Sequence, residues 1–394
     1  MATNDGGFIG QDGLNAPDSP TDVSATAGDA QATISFTAPS DVGGSAITGY
    51  RAQSNDGIGA SGSSSPITVT GLTNGTSYTF NVWAINAFGY SAPSDASGSV
   101  SPFGARAIFG SYSNMQYVTI STLGNAASFG NFSTSRNGRA ACSSSSRAVF
   151  GGGELSSTAY NEISFVEFAT TGNATDFGDL TVARYQAAGA SSSTRGLFAT
   201  GQTISATIDV IDYITIASAG NATDFGDASD NYGYTNRAGS GGLASSTRAV
   251  FGGGVTSGTN DIDRTYYVTI ATTGNGTGFG GLTVSRTFLA GASNSTRGLF
   301  AGGFDYDTGS LNVIDYITIS TTGDATDFGD LTAARHYVGG AASSTRALFA
   351  STTGSNTTID YVTIASTGNA ADFGDITNSG NGVGGCSSAH GGLS

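Results

Sequence analysis

The stretch that decides the fold runs from Arg286 to Arg335 and reads RTFLAGASNSTRGLFAGGFDYDTGSLNVIDYITISTTGDATDFGDLTAAR. Four short apolar runs in it lie between segments rich in Gly, Ser, Thr and Asn. Runs of this length with Phe, Tyr, Val and Ile, bounded by turn residues, predict β-strands. The same pattern recurs with small changes across residues 102–394, which predicts a scaffold built from repeats.

Three landmarks mark six copies of the repeat. The motif R-[AG]-[ILV]-F begins at Arg106, Arg147, Arg195, Arg248, Arg297 and Arg346. The motif Y-[IV]-T-I begins at Tyr117, Tyr213, Tyr267, Tyr316 and Tyr361, and Phe165 takes the tyrosine's place in the second copy. The DFGD-like motif has Phe landmarks 45 to 54 residues apart, at Phe129, Phe177, Phe225, Phe279, Phe328 and Phe373. A further arginine closes most copies.

Each repeat holds four strand-length runs, which is typical of a β-propeller blade. The second run ends in a glycine pair, as at 151–152, 252–253 and 302–303. With these pairs the unit resembles the kelch repeat, with Phe where that family usually has Trp. The resemblance implies an all-β fold in which residues 102–394 form a six-bladed kelch-like β-propeller.

The first copy begins at Arg106 and lacks its opening run, which predicts that the C-terminal strand closes the ring. The segment 376–394 carries a matching run, because CSSAH at 386–390 aligns with ASSTR at 342–346. We therefore expect blade one to be completed by 376–394. Cys142 and Cys386 fall at matching positions of neighbouring inner strands, which are usually too far apart for a disulfide. Both thiols are predicted to be free and buried.

Residues 17–101 show partial period-two patterning with turn signals between the runs, which predicts a β-sandwich. The segment from 66 to 94, PITVTGLTNGTSYTFNVWAINAFGYSAPS, and the entry strand resemble a fibronectin type III domain. The matching residues are Leu72, Gly75, Tyr78, Val82, Ala84, Asn86, Gly89 and Pro93. The resemblance implies that the Tyr78 hydroxyl bonds to the backbone near Thr73. It also implies a spacing or docking module without catalysis.

The amino-acid composition argues against several classes of function. The net charge is −15, and all 14 basic residues are arginine. An acidic chain is a poor partner for a phosphate backbone, so we expect no nucleic-acid binding. No run of 18 apolar residues is present, which predicts no membrane insertion. Residues 1–16 lack the basic and apolar regions of a secretory signal. They are interpreted as a flexible tail or as a docking peptide anchored by Phe8 and Ile9.

The repeated charges are predicted to be structural, because six equivalent copies lack the asymmetry of a catalytic site. The closing arginines and the DFGD aspartates are assigned to turns and hydrogen bonds between blades. Asp261 with Asp263, and Asp305 with Asp307, could hold calcium, although neither pair has the complete EF-hand ligand run. The sequence otherwise predicts no metal, no cofactor and no catalytic residues.

The loops after the glycine pairs differ between copies, and binding residues commonly lie on such loops. Aromatic and acidic side chains there suit recognition of a protein or a glycan. The candidate binding residues are Tyr160, Phe304, Asp305, Tyr306 and Asp307. Solvated loops without a ligand are the alternative interpretation.

The composition and the pairing of modules resemble structural proteins of tailed bacteriophages, especially marine cyanophages. The resemblance implies a non-enzymatic virion surface protein, tail- or capsid-associated and extracellular after host lysis. Its partners would be other virion proteins and a host surface glycan or protein. A purely structural decoration of capsid or tail is one alternative. A carbohydrate-active propeller enzyme is another, from a different class.

Overall fold

The computed structural model describes residues 15–228, 233, 236–256, 261–352, 357–377 and 382–393. Phe8 and Ile9 lie outside the described residues. The chain divides into two compact units, Met1–Gly104 and Ala105–Ser394. Both units are built from β-strands, and one short 3-10 helix (Gly391–Leu393) is the helix among the described residues. The chain is therefore an all-β protein.

Among its described residues, the first unit contains two antiparallel sheets. The strands are β1 (Thr21–Gly28), β2 (Gln31–Thr37), β3 (Gly49–Ser54), β4 (Gly59–Gly62), β5 (Ile67–Thr70), β6 (Phe80–Asn86) and β7 (Gly89–Tyr90). One sheet has the strand order β1-β2-β5 and the other has the order β4-β3-β6-β7. Alternate residues of β2 and β6 are buried, as in Ile34, Phe80 and Val82, because one face of each sheet covers a shared core.

The Tyr78 hydroxyl closes a corner of this unit. It accepts a hydrogen bond from the Thr73 N–H at 3.0 Å, while its ring is buried in the core. The predicted bond between Tyr78 and the nearby backbone is therefore confirmed. A buried phenol needs such a partner, because an unpaired polar group in the core is costly.

Among its described residues, the second unit contains six main sheets, numbered here in chain order, and two two-stranded hairpins. Sheet 1 combines β8 (Arg106–Thr119), β9 (Ala127–Arg136) and the last strand of the chain, and sheets 2 to 6 each have four consecutive antiparallel main strands. Short hairpins extend sheets 2 and 5. The remaining strands are β10 (Ala140–Ser143), β11 (Arg147–Gly151), β12 (Glu154–Leu155), β13 (Thr158–Ala159), β14 (Glu162–Glu167), β15 (Thr175–Asp179), β16 (Ala188–Ser191), β17 (Arg195–Ala199), β18 (Val210–Thr215), β19 (Thr223–Asp227), β20 (Gly241–Ala244), β21 (Arg248–Gly252), β22 (Arg264–Thr269), β23 (Thr277–Gly281), β24 (Ala290–Ser293), β25 (Arg297–Ala301), β26 (Phe304–Asp305), β27 (Gly309–Ser310), β28 (Val313–Thr318), β29 (Thr326–Asp330), β30 (Gly339–Ala342), β31 (Arg346–Ala350), β32 (Thr358–Thr363), β33 (Ala371–Asp375) and β34 (Gly384–Ser387).

Each sheet packs its apolar face on the next. The core between sheets 3 and 4, for example, joins Leu197 and Phe225 to Phe251 and Val268. Within sheet 3 the ring of Phe225 also meets Tyr213 edge to face, with 6.0 Å between centroids. The DFGD and Y-[IV]-T-I landmarks of the sequence are therefore core residues of the repeat.

A repeated arginine bonds each sheet to the following one. Its Nη1 donates to a backbone carbonyl of the next sheet, and the sixth arginine, Arg346, donates at 2.7 Å to Ile120 of the first sheet. In each sheet its guanidinium also lies over the aromatic ring that begins the Y-[IV]-T-I motif, as Arg195 lies over Tyr213 at 4.4 Å. The donor and acceptor pairs are Arg106–Phe168, Arg147–Ile216, Arg195–Ile270, Arg248–Ile319, Arg297–Ile364 and Arg346–Ile120.

A second set of bonds links the outer strands of neighbouring sheets. A side-chain oxygen before each outer strand accepts the backbone N–H of the preceding sheet's outer strand. Between sheets 6 and 1, Asn125 accepts from Asp375 at 3.0 Å. The other acceptors are Asn173, Asn221, Asn275, Asp324 and Asn369. The same rule thus holds at all six junctions, including the one between the last sheet and the first.

The inner strands, which are the first strands of sheets 2 to 6 together with β34, lie against one another. A Cβ atom built on Gly189 would fall 2.0 Å from the Ala141 carbonyl oxygen, which leaves no space for a side chain. Serine hydroxyls bridge several neighbours, as Ser293 donates to the Ala244 carbonyl at 2.7 Å. The run of small residues at the start of each repeat is explained by this close approach.

The C-terminal strand completes sheet 1. Strand β34 pairs antiparallel with β8, so that Gly384 lies opposite Gly110 and Cys386 lies opposite Ile108. The predicted alignment of 386–390 with 342–346 is wrong by one residue, because Ser387 rather than Cys386 takes the place of Ala342 at the strand end. Both cysteines are free and buried, as predicted.

A buried ion pair fixes the linker between consecutive sheets, and the sequence interpretation missed it. In three linkers the closing arginine forms its ion pair with an aspartate of the sheet's third main strand and not with an aspartate of the DFGD motif. In sheet 3, Arg184 bonds to Asp212 of β18 at 2.7 Å, and both side chains are fully buried. Asp212 also accepts the N–H and the hydroxyl of Thr181. Equivalent pairs are Arg286–Asp315 and Arg335–Asp360.

The chain end covers the inner strands at the face opposite the variable loops. His390 lies with its Nε2 at 3.0 Å from the Ser143 carbonyl and 3.2 Å from the Ser191 hydroxyl, and its Nδ1 accepts the Gly392 N–H. This pattern requires the neutral ring with a proton on Nε2. Burial lowers the pKa of His390 to about 4.

The position of His390 predicts a stability change with pH. The unfolded ring has a pKa of 6.5 and the folded one a pKa of about 4, so acid protonates the unfolded chain first. The stability contributed by neutral His390 is complete above pH 6.5, and roughly 3 kcal/mol of it is lost between pH 6.5 and pH 4. Denaturant unfolding of the full chain at pH 7 and pH 4.5 measures this loss. His390→Gln should remove most of it, and an equal loss in the variant would contradict the prediction.

Candidate functional site

Six left-handed backbone positions lie at the variable-loop end of the inner strands. Each comes two residues after the place of the closing arginine, and all six line one small opening. They are named here the mouth residues: Gly138, Gln186, Gly239, Phe288, Tyr337 and Gly382. Their φ angles lie between 54° and 88°. Glycine adopts this conformation readily, whereas a side chain makes it costly.

Backbone hydrogen bonds join the first four mouth residues in order, and Phe288 and Tyr337 accept from the N–H groups of Val338 and Val383. Gln186 donates to the Gly138 carbonyl at 2.8 Å, Gly239 to Gln186 at 2.9 Å, and Phe288 to Gly239 at 2.7 Å. The left-handed turn points the backbone N–H of each of these residues towards a carbonyl group of the preceding linker. The Gln186 amide also reaches the Tyr337 hydroxyl at 3.4 Å. The three side chains at the mouth are therefore held over the same opening.

A cavity of about 430 Å³ lies beside the mouth. Its floor includes Gln186, Phe288 and Tyr337, and one wall is the loop that follows β17. The described residues that line it are Tyr185, Gln186, Gln202, Thr203, Ile204, Ser205, Ala206, Thr207, Val255, Thr256, Phe288, Tyr306 and Tyr337. Spaces along the inner strands measure only about 50 to 70 Å³. A ligand larger than a few water molecules therefore fits at the loop end and not among the inner strands.

Aromatic rings form a continuous cluster at the cavity. Phe288 and Tyr337 have centroids 4.3 Å apart, and His336 lies 5.0 Å from Tyr337 and 5.1 Å from Phe304. Phe304 in turn meets Tyr306 edge to face at 5.3 Å. Burial raises the pKa of Tyr337 above its usual value, and the phenols of Tyr306 and Tyr185 add to the rise. The Tyr337 hydroxyl thus stays protonated at neutral pH and can donate a hydrogen bond.

The predicted binding residues fall into two groups. Phe304 and Asp305 form β26, and Tyr306 and Asp307 follow it in the turn of the β26–β27 hairpin. Of these four, Tyr306 lines the cavity, and it is 43% exposed. Tyr160 lies apart from them, half-buried, with the Arg136 guanidinium 4.2 Å from its ring centroid. The predicted residues therefore do not form one site.

The acidic residues near the hairpin have structural partners. One carboxylate oxygen of Asp305 accepts the backbone N–H groups of Asp307 and Thr308, both at 2.8 Å. Asp261 accepts the Tyr306 N–H at 2.7 Å. Burial raises the pKa of Asp261 to about 6, the bond from Tyr306 opposes the rise, and the carboxylates of Asp305 and Asp307 add to it. Within the described ranges, no three His, Cys, Asp or Glu side chains gather as a metal site would require.

Four residues of the cavity were missed by the sequence interpretation, although the variable loops that it singled out supply the rest of the described lining. Tyr185, Gln186, Phe288 and Tyr337 lie in the linkers that enter the inner strands, not in the variable loops after the glycine pairs. The repeat contains a sequence signal that marks these linker residues. The position two residues after the closing arginine is Gly in Arg136-Asn-Gly and Arg237-Ala-Gly, but it is Gln, Phe or Tyr in the three other linkers that begin with an arginine.

Comparison with known families identifies the first unit. The family model for the fibronectin type III domain matches residues 18–99. Residues 18–99 form a fibronectin type III domain. The two-sheet arrangement and the Tyr78 corner agree with this match. A search of curated proteins finds no match to the chain. In the part of the chain that the structure describes, no helix has the length and apolar character needed to cross a membrane.

Proposed function

We propose that residues 105–394 form a six-bladed, kelch-like β-propeller that carries a binding face at its loop end. Two observations support the ring. The bonds from the repeated arginines and those between outer strands recur at all six junctions, and Arg346–Ile120 and Asp375–Asn125 join the last sheet to the first. Strand β34, from the C-terminus, also lies beside both β10 and β30.

We further propose a non-enzymatic virion surface protein, in which this face binds the host surface or another protein. The observation that carries the binding role is the cavity of about 430 Å³ beside the mouth residues. Its volume lies in the range of small-ligand sites. Its aromatic rings, amides and hydroxyls are groups that bind by stacking and hydrogen bonding. The cavity also departs from the sixfold pattern, as a specific site must.

The placement in a virion rests on the resemblance to tailed-phage structural proteins. The fibronectin type III domain would space or dock the propeller, and residues 1–16 would attach to a neighbouring virion protein. The protein would then be a tail or capsid component that is extracellular after host lysis. A purely structural decoration protein would share this location but would not bind host cells.

Two measurements test this function. Immunogold labelling with an antibody against the chain should mark the surface of the phage particle. Fluorescently labelled full chain should bind cells of the host and not cells of a resistant strain. Surface labelling without cell binding would favour decoration, and unlabelled particles would contradict the virion assignment.

A further inference from the structure

Three of the six mouth residues adopt the left-handed conformation at a cost. Gln186, Phe288 and Tyr337 have φ angles of 54° to 56°, whereas the three other linkers have glycine at this position, with φ angles of 66° to 88°. Each is unfavourable for a residue with a side chain, because the Cβ atom approaches the backbone carbonyl oxygen. All three side chains line the same cavity. Other side chains with left-handed backbone angles occur elsewhere in the described chain, but these three come from separate linkers and meet at one cavity, which indicates a functional constraint there.

The described lining of this cavity is uncharged, although the chain carries a net charge of −15. It supplies the rings of Tyr185, Phe288, Tyr306 and Tyr337 together with amide and hydroxyl groups. A ligand with a net charge would find no described ion-pair partner in the lining. A neutral ligand with both apolar faces and many hydroxyl groups matches the lining best.

The polar side chains on the floor of the cavity form only a weak hydrogen bond with one another. The bond from the Gln186 amide to the Tyr337 hydroxyl is long, at 3.4 Å. A glutamine side chain offers two donors and one acceptor, and a phenol offers one donor and accepts as well. This pair can therefore open to exchange hydrogen bonds with ligand hydroxyls, while the ring of Phe288, 4.3 Å from Tyr337, presents an apolar face beside them.

We propose that this cavity binds a neutral oligosaccharide. The rings of Phe288, Tyr306 and Tyr337 pack against the C–H faces of the sugars, and Gln186 and Gln202 bond to their hydroxyls. The proposal rests on the binding role proposed above and names its ligand class. It also explains the retained strain, because glycine at these positions would relax the backbone and remove the binding groups.

The test uses the full chain and a panel of oligosaccharides. Neutral members contain glucose, galactose, mannose or N-acetylglucosamine, and charged members are their sialylated or sulfated counterparts. Isothermal titration calorimetry is expected to find binding of a neutral member. Tyr337→Gly and Phe288→Gly should each weaken it about thirtyfold, the loss typical of a central aromatic contact.

Glycine is the informative replacement, because three linkers carry it at a left-handed backbone angle and the fold should survive. Circular dichroism and thermal unfolding check that it does. Tyr90→Ala is the matched control, since Tyr90 is a 51% exposed aromatic residue of the fibronectin domain. Its affinity should equal that of the unchanged chain.

Three results would overturn the proposal: no neutral member binds, only charged members bind, or the glycine variants bind as tightly as the unchanged chain. Binding of the fluorescently labelled chain and its variants to host cells distinguishes failure of the sugar site from failure of the proposed function. Cell binding that persists in Tyr337→Gly overturns the sugar site and keeps the binding role, which would then belong to a protein contact elsewhere. No cell binding by the unchanged chain removes the binding role itself.

Discussion

Replacing Gly291 by valine is expected to destabilise the second unit by about 3 kcal/mol or more. A Cβ atom on Gly291 would lie 2.2 Å from the Gly242 carbonyl oxygen, which is far inside van der Waals contact. Gly242 cannot retreat, because its own neighbour Gly189 is equally close. The equivalent residue of β10 is Ala141, so the inner strands accept a methyl group at that junction, whereas at Gly291 the Cβ atom already clashes and valine adds two further carbons.

Denaturant unfolding compares Gly291→Val with Gly220→Val. A Cβ atom on Gly220 would meet no heavy atom within 4 Å, and the backbone angle there is an ordinary one, so this variant loses only the flexibility of glycine. The control should change the free energy of unfolding by less than about 1 kcal/mol. Equal stabilities for the two variants would show that the inner strands can move apart.

Replacing Asp315 by alanine is expected to cost about 3 to 5 kcal/mol, the usual loss when one partner of a buried ion pair is removed. Arg286 would remain fully buried without its carboxylate. The N–H of Thr283 would also lose its acceptor, which now lies at 3.1 Å. Burial already lowers the pKa of Arg286, and Asp315 opposes this effect. Denaturant unfolding of the variant and the unchanged chain measures the cost.

A double variant separates charge from packing. Arg286→Met with Asp315→Leu removes both charges, and such exchanges are often nearly neutral. It should therefore be more stable than Asp315→Ala alone. Sheet 4 replaces only the aspartate: Tyr266 takes its place, and Arg237 lies over the tyrosine ring at 5.0 Å. A double variant less stable than the single one would contradict the explanation.

The sequence predicted the repeat because its landmarks are core residues. Phe225 and Tyr213 must recur, since each sheet packs the same rings between the same neighbours. The fibronectin domain was predictable for a similar reason, because the Tyr78 corner depends on residues close together in the chain.

The buried pairs and the cavity were not predictable in the same way. Asp212 pairs with Arg184 across 28 residues, and nothing in the I-D-Y motif distinguishes a buried aspartate from an exposed one. The cavity gathers Gln186, Phe288 and Tyr337 from three linkers, and only the arrangement of the sheets brings them together. The sequence interpretation placed the binding residues in the variable loops, because loops usually carry function. In the structure, the linkers supply the floor of the cavity.

The junction between the last sheet and the first can be measured directly with paired cysteines. Asn125→Cys with Asp375→Cys joins sheets 1 and 6, where the Asp375 N–H donates to Asn125 at 3.0 Å. Asp179→Cys with Asn221→Cys is the matched control at the junction of sheets 2 and 3, where the same bond measures 3.1 Å. Both native thiols are buried, so they do not compete.

Mild oxidation followed by non-reducing electrophoresis and peptide mapping reports the disulfides. If the six sheets close into a ring, both pairs cross-link with equal yield. If the control pair forms a disulfide while the pair at 125 and 375 stays reduced, the last sheet does not meet the first, and the six-bladed propeller is wrong.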